Sequence, residues 1–415
     1  MSCPECNQEY TDIYNIWCNP CNSKHFQNDF NNWTSGNNKI DKFIQDAQLN
    51  AINDSEVIEW IPFDRFKDVK HIGKGGFGTI HYAKWIDGYI EEWDIENQQW
   101  KRHRKEGEVA LKKFDNFVNF NDVLNEMAIH LKIRTQSASI RFYGITQDPE
   151  THSYMMVLEY AKDGNLREYL KINFNNIKWN QKLANLWYLS YNLTNIHELD
   201  IVHQDFHPGN ILSYNFKNRL DVSDFGLSKL IGANPNNPEK KNIFGVLPYI
   251  APEVLSGDEE YTKAADVYSF GIIAHEIVTG FPPYLDIPYN KDLAMKICNG
   301  LRPKIPFHTP KLITRIIMRC WDARVTHRPT FEELRDELNK YSEEFSANQE
   351  STNVTNSTTK TPLNYQTHPQ AIYTSRFLNY SNLPKPNNEE NFERELEELT
   401  KSMSNLCPSN SDLFI

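Results

Sequence analysis

Between residues 64 and 342 the apolar pattern changes period part-way, and that change limits the fold more than any other feature of the chain. The earlier stretch carries short alternating or β-rich runs: VKHIGKGGFGTIHYA, GEVALKKF, IRFYGI and SYMMVLEY. A period of two turns one face of a strand toward a core. The later stretch is helical. In WNQKLANLWYLSYNLTNIHEL the residues Leu183, Leu186, Leu189, Leu193 and Ile196 recur every three or four positions, as a core-facing helix stripe requires. The expectation is an α+β chain with a small β-rich lobe followed by a larger helical lobe.

Outside that region the composition shifts. Residues 1–25 hold two cysteine pairs. Residues 26–63 read as a linker, Asn-rich at first, with a short amphipathic helix in which Ile40, Phe43, Ile44 and Ala47 share one face. From 343 to 415 the Ser/Thr/Asn-rich run SANQESTNVTNSTTKTPLN predicts a mostly disordered tail, with a short helix near 389–403.

Gly73, Gly75 and Gly78 stand in G-x-G-x-x-G spacing within IGKGGFGTI. Glycine lets backbone N–H groups approach phosphate oxygens without a Cβ in the way. A dinucleotide-binding turn would need a helix directly after the last glycine. TIHYAKW instead continues as strand, so a strand–loop–strand flap over phosphates fits better. VALK follows at 109–112. Alternation there puts Ala110 and Lys112 on one face, a small residue to roof a planar base and a lysine to reach phosphates, with Lys113 facing the other way. Glu126, in NDVLNEMAIHLKI, is the candidate acidic partner of Lys112.

HQDFHPGN, residues 203–210, packs two histidines, an aspartate and an asparagine into one short loop. A zinc site on His203 and His207 lacks a matching Cys or His pair nearby. The region from 64 to 342 resembles the protein kinase catalytic domain. HQDFHPGN stands where that family has H-R-D-L-x-x-x-N, DFG is at 224–226, APE at 251–253, DVYSFG at 266–271 and RPTFEEL at 328–334. DVYSFG, CWDARVTHRPTFEEL and GLRPKIP look most like the tyrosine-kinase-like branch. With the cysteine-bearing front, the chain resembles an expanded group of fungal kinase-like proteins.

The resemblance implies the bilobal kinase fold, ATP between the lobes, catalytic magnesium and transfer of a γ-phosphoryl group to protein hydroxyls, serine/threonine favoured over tyrosine, in intracellular signalling. Such chemistry asks for positioning and charge neutralisation more than covalent catalysis. Asp205 is implied to orient the acceptor hydroxyl, and Asn210 and Asp224 to hold magnesium, a cation that prefers hard oxygen ligands. Lys112 is implied to hold the α/β-phosphates, oriented by Glu126. Nucleotide contacts are implied for Ile72, Gly73, Lys74, Gly75, Gly76, Phe77, Gly78, Thr79 and Ile80 of the flap, and for Ala110, Leu158 and Leu212 around adenine. The backbone from Glu159 to Ala161 is the implied hinge. His203 is implied to pack on Phe225, Asp266 to anchor the loop backbone, and Glu253 to pair with Arg328.

Departures from the family pattern bear on regulation and acceptor. Gln204 replaces an arginine that grips phosphate on the activation segment, and glutamine cannot pair phosphate bidentately. The segment DFGLSKLIGANPNNPEKKNIFGVLPYIAPE offers only Ser228 and Tyr249 as hydroxyls. Phosphorylation of this segment is therefore not the expected on-switch. His207 stands where serine/threonine kinases carry lysine, and Val246 where they carry threonine. The competing reading is a pseudokinase scaffold that binds nucleotide or partners without catalysis. The presence of Lys112, Glu126, Asp205, Asn210 and Asp224 argues against it. A small-molecule phosphotransferase, suggested by D-F-H-P-G-N-I-L, would lack APE and DVYSFG.

CPEC and CNPC place Cys3, Cys6, Cys18 and Cys21 in two C-x₂-C pairs. Four such thiolates suit tetrahedral structural Zn²⁺, so a zinc-ribbon-like module is expected. Glu5, Glu9 and Asp12 flank the pairs, and the chain's formal net charge is -11. Both disfavour nucleic acid as partner, leaving a structural or partner-docking role for the module, with the tail as a second docking element. The insertion IDGYIEEWDIENQQWKRHRKEGE is long for a tight hairpin, and Trp93 and Trp100 are placed to pack across it. Seven cysteines, an odd number, and no basic-then-apolar leader predict a reducing, cytoplasmic setting, and no apolar run is long enough for a membrane span.

Overall fold

The computed structural model describes residues 2–75, 78–114, 120–134, 138–230, 243–351 and 365–404. The chain divides into two compact units, Met1–Lys162 and Asp163–Ile415.

The first unit contains α1 (Asn19–Asp29), α2 (Asn38–Asn50), β1 (Glu59–Trp60), β2 (Phe66–Lys74), β3 (Gly78–Trp85), β4 (Tyr89–Asp94), β5 (Gln99–His103), β6 (Gly107–Phe114), α3 (Phe120–Arg134), β7 (Phe142–Gln147) and β8 (Tyr154–Glu159). Six strands form one sheet in the order β1-β7-β8-β6-β3-β2. All its pairings are antiparallel except β1 with β7. Its core gathers Ala83, Trp85, Val109, Leu111, Tyr143, Met155 and Val157, the inward positions of the alternating runs.

Residues 26–63 are not a free linker. Ile40 and Ile44 of α2 are fully buried, and Trp17, Phe26, Ala51, Val57 and Ile90 form a second core. The short amphipathic helix expected here forms as α2, its apolar face covered within this unit, and β1 adds a strand to the sheet. The insertion forms the β4–β5 hairpin, in which Trp93 is paired with Trp100, ring centroids 5.0 Å apart. The hairpin docks on the N-terminal segment: Trp100 stacks on Phe26 at 4.3 Å and Trp93 on His25 at 3.9 Å. On β5, Arg102 pairs with Glu59 and Lys101 with Glu92.

The second unit contains α4 (Leu166–Asn173), α5 (Trp179–Glu198), β9 (Ile201–Val202), β10 (Ile211–Leu212), β11 (Asp221–Val222), β12 (Lys229–Leu230), β13 (Ile243–Gly245), α6 (Pro252–Ser256), α7 (Lys263–Thr279), α8 (Lys291–Cys298), α9 (Lys311–Cys320), α10 (Phe331–Ser351), β14 (Arg376–Leu378) and α11 (Phe392–Ser404). The stripe on α5 is buried as its spacing predicts, from Leu183 to Ile196. α7 is buried on every side, including His275 and Glu276, which explains its nearly continuous apolar sequence. Among the described residues no helix is long and apolar enough to cross a membrane.

The tail corrects the composition-based expectation. Residues 352–364 and 405–415, which include most of the Ser/Thr/Asn run, lie outside the described residues. Residues 365–404 are packed, not disordered: Ala371, Leu378 and Phe392 are buried, β14 pairs with β13, and Asn387 N–H donates to the Cys298 carbonyl at 2.9 Å. The polar stretch contains a few well-spaced apolar anchors, and these use a surface already built by the second unit.

Candidate active site

In the first unit, β6 carries Lys112 and α3 carries Glu126. The two side chains form a buried ion pair, 5% and 2% exposed. The VALK alternation turns Lys112 this way and sends Lys113 to the other face, where it meets Asp148 at 2.6 Å. Burial of such a pair is costly unless both charges are matched. His130, one helical turn beyond Glu126, is buried with its Nε2 4.0 Å from that carboxylate. Ala110 lies opposite Leu158 on one side and Tyr82 on the other, and Glu159 N–H donates to the Arg141 carbonyl at 2.8 Å.

β2 and β3 pair antiparallel around the glycine loop, so the strand–loop–strand geometry replaces the strand-to-helix turn of a dinucleotide fold. Gly75 N–H donates to the Gly78 carbonyl at 2.8 Å. A Cβ at Gly78 would sit 2.1 Å from the Lys113 carbonyl oxygen, so only glycine lets β3 approach β6 there. Gly76 and Phe77 lie outside the described residues; Ile72, Gly73, Lys74, Gly75, Gly78, Thr79 and Ile80 fall on the two strands and the mouth of the loop.

In the second unit, HQDFHPGN connects β9 to β10. Asp266, fully buried on α7, accepts the backbone N–H of His203 at 2.8 Å and of Gln204 at 3.1 Å, and the His197 ring lies 2.9 Å from it. Gln204 is thereby held at φ +68°, a left-handed conformation that a non-glycine residue keeps only when its surroundings dictate it. Asn210 Nδ2 donates to the Asp205 carbonyl at 2.9 Å, closing the loop. The β10–β11 hairpin sets the start of the DFG turn beside it through Ser223 N–H to the Asn210 carbonyl at 2.9 Å. Asp224, at φ +61°, is half-buried, and Leu212 pairs with Asp221 on the hairpin.

His203 is a satisfied core residue. Burial lowers its pKa, its Nε2 meets the Ser223 carbonyl at 3.0 Å, and its Nδ1 accepts the Asp205 N–H at 3.3 Å. Its ring packs on Phe225, centroids 5.1 Å apart. Glu253 and Arg328 form a two-pronged buried ion pair. Tyr249 is locked in place by Arg167, at 2.8 Å, and by Glu276. No local pattern announces that triad, because its members come from three separate elements.

One contact could not be read from the sequence. Ser375, in the tail, donates its hydroxyl to Asp205 Oδ2 at 2.5 Å, and its Oγ lies 3.1 Å from His207 Nε2.

Residues 66–338 match the model of the protein tyrosine and serine/threonine kinase family. The chain belongs to that family. Its β-sheet lobe and helical lobe are those of a protein kinase domain. The chain is 31% identical to a tyrosine-protein kinase of Girardia tigrina over 278 residues, 65% of this chain and 52% of that protein. It is 28% identical to a putative serine/threonine-protein kinase/receptor of Acanthamoeba polyphaga mimivirus over 290 residues, 68% of this chain and 16% of the relative. It is also 27% identical to the probable serine/threonine-protein kinase pats1 of Dictyostelium discoideum, over 68% of this chain and 9% of that one. The kinase chain thus spans about half the length of the first of these relatives and a small part of the other two.

In front of the kinase domain, Cys3, Cys6, Cys18 and Cys21 bring their sulfurs within 4.8 Å of one another. The Cys3–Cys21 and Cys6–Cys18 separations are 3.8 and 3.6 Å. Zn–S bonds of about 2.3 Å in a tetrahedron put sulfurs ~3.8 Å apart, so the donor set fits. The first pair sits in a turn between bridged Ser2 and Glu9, and the second at the start of α1, where Cys18 is the N-cap. That is a turn-plus-helix arrangement, not two hairpin knuckles.

Proposed function

We propose that the chain is an ATP- and magnesium-dependent protein kinase that phosphorylates serine or threonine. The observation that carries this reading is the aliphatic hydroxyl already seated on the Asp205 carboxylate at 2.5 Å, within a loop fixed by Asp266 and Asn210. A group that takes a proton must first lie within hydrogen-bond reach of it, and Asp205 satisfies that condition.

On this reading the first unit holds the nucleotide. Lys112, oriented by Glu126, binds the α/β-phosphates. The backbone of the flap from Ile72 to Ile80 covers them. Ala110 and Leu158 line the nucleotide's adenine side, and the backbone of Glu159 to Ala161 supplies the hinge hydrogen bonds. The second unit holds the acceptor and the metal: Asp205 orients the hydroxyl, while Asn210 and Asp224 offer oxygens. Asn210 spends its Nδ2 on the Asp205 carbonyl, so its amide oxygen is the atom left for a hard cation. Magnesium, when bound, neutralises charge on the polyphosphate.

The four front cysteines hold structural zinc, which stitches the turn at Cys3–Cys6 to α1. Burial pushes the Cys18 thiol up to about 11, and a coordinated cation is what makes such thiols give up their protons. Glu5, Glu9 and Asp12 favour a structural or docking role for the module, without nucleic acid. The motif set favours the tyrosine-kinase-like branch.

Purified chain incubated with Mg²⁺ and labelled ATP, with a mixture of serine-, threonine- and tyrosine-containing peptides, tests the reading. Label on serine or threonine is expected. Label confined to tyrosine would overturn the acceptor assignment, and no label on any peptide or on the chain itself would leave a nucleotide- or partner-binding scaffold.

A further inference from the structure

We propose that residues 371–378 are an acceptor segment built into this chain, and that Ser375 is a phosphorylation site modified by the catalytic loop of the same molecule. The inference rests on the kinase reading above and names one substrate for it.

Four observations converge on the segment. Ser375 places its hydroxyl on Asp205 Oδ2 at 2.5 Å, with His207 Nε2 3.1 Å from the same oxygen. β14 adds antiparallel to β13 of the activation segment, with Arg376 opposite Gly245, Phe377 opposite Phe244 and Leu378 opposite Ile243. Strand addition of this kind is a general way to seat an extended peptide, main-chain bonds giving affinity and alternate side chains giving selectivity. Flanking residues are gripped as well: Arg376 donates to the Tyr289 carbonyl at 2.5 Å, and the Tyr373 ring lies under the Arg167 guanidinium at 4.6 Å, its carbonyl accepting from Arg167 at 3.3 Å. Finally, Gly245 takes φ +141°, a conformation that L side chains rarely adopt, and a Cβ there would crowd Asp205 Oδ1 and Ile250, both at 3.2 Å, so this strand residue passes close to the carboxylate. Ser375 meets the other oxygen of the same carboxylate.

A tail that merely covered the unit would need none of this alignment. The alternative hydroxyls of the activation segment are unsuited: Ser228 is buried and bonded to the His203 carbonyl at 3.1 Å, and Tyr249 is enclosed by Arg167 and Glu276.

The step balances without a redox partner. Ser375 Oγ attacks the γ-phosphorus of a magnesium-bound nucleoside triphosphate. The bond from that phosphorus to the β–γ bridging oxygen breaks, its electron pair leaving on the diphosphate. The hydroxyl proton passes to Asp205 and then to solvent. The product places a phosphate of nearly two negative charges against the Asp205 carboxylate. Like-charge repulsion then drives the strand out and opens the track to other proteins. The unmodified tail is thus both first substrate and competitor.

The test uses the full chain with Mg²⁺ and ATP, at protein concentrations spanning tenfold. Intact mass and peptide mapping follow Ser375, and a serine-peptide mixture reports transfer to other acceptors. One phosphate on Ser375 is expected, with a first-order rate constant that does not change with protein concentration, and peptide phosphorylation should accelerate as it forms. Leu378→Asp, which breaks the β13–β14 pairing away from the reacting atoms, should slow Ser375 modification about tenfold and shorten the lag in peptide phosphorylation. Peptides labelled while Ser375 stays bare, phosphate on Thr374 instead, or a rate that climbs in proportion to protein concentration would each overturn the proposal while leaving the kinase reading intact. No transfer to either acceptor would overturn both.

Discussion

Arg328 grips both carboxylate oxygens of Glu253 at 2.7 Å, and both residues are buried. The pair ties the end of the activation segment to the start of α10, across 75 residues of sequence. Arg328 also donates to the Asp322 carbonyl at 2.8 Å and the Ala264 carbonyl at 3.0 Å. Arg328→Met leaves Glu253 buried without its partner, which costs about 3–5 kcal/mol in comparable cases. Urea unfolding should show that loss, and Glu253→Gln combined with Arg328→Met should recover part of it.

His275 gives a pH dependence with a definite sign. It is enclosed in α7 with its Nε2 3.1 Å from the Lys304 carbonyl, and burial pushes its pKa down to about 4 from 6.5. The unfolded chain therefore binds a proton on this residue at pH values where the folded chain does not. Stability contributed by the neutral ring is complete above about pH 6.5 and is lost as pH falls toward 4. The full loss is roughly 3 kcal/mol. Chemical denaturation at pH 7 and pH 4.5 should show a smaller drop in His275→Gln, which keeps an N–H for the Lys304 carbonyl and cannot ionise. An equal drop in both proteins would remove His275 from the account.

Metal analysis of the front module should find about one zinc per chain. Chelation, or Cys18→Ser, should release it and lower the melting temperature of the first unit, because Trp17, the residue before Cys18, packs in one core with Phe26 and with Trp100 of the β4–β5 hairpin. Wild-type protein prepared without chelator and free of zinc would refute the assignment.

Phosphate mapping of an active preparation should find neither Ser228 nor Tyr249 modified. Both hydroxyls are buried and bonded, and Gln204 offers no guanidinium for a phosphate at that end. Phosphate on either residue, with activity lost when phosphatase removes it, would contradict this.

Much of the site could be read before any coordinates because its parts are local. HQDFHPGN folds on itself through Asn210 and Asp205, five residues apart, and Lys112 finds Glu126 only 14 residues along the chain. Alternation in VALK fixed which lysine turns inward. What escaped depends on distant surfaces. Ser375 reaches Asp205 across 170 residues, from a stretch whose composition argues for disorder. Ile40 and Ile44 had the right spacing for a helix face, but nothing local told that the face is covered by the rest of the first unit. The Arg167–Tyr249–Glu276 triad draws its members from α4, the activation segment and α7, so no motif holds them together.

Asp205 is the residue on which both the kinase reading and the acceptor segment depend. The decisive measurement is the rate of phosphoryl transfer from labelled ATP by Asp205→Asn beside the wild-type chain, with nucleotide binding measured in parallel. A positioned base contributes about 10²–10⁴ in rate. Transfer to peptides and to Ser375 should fall at least about a hundredfold, with nucleotide affinity unchanged. Transfer at the wild-type rate by the variant would contradict this.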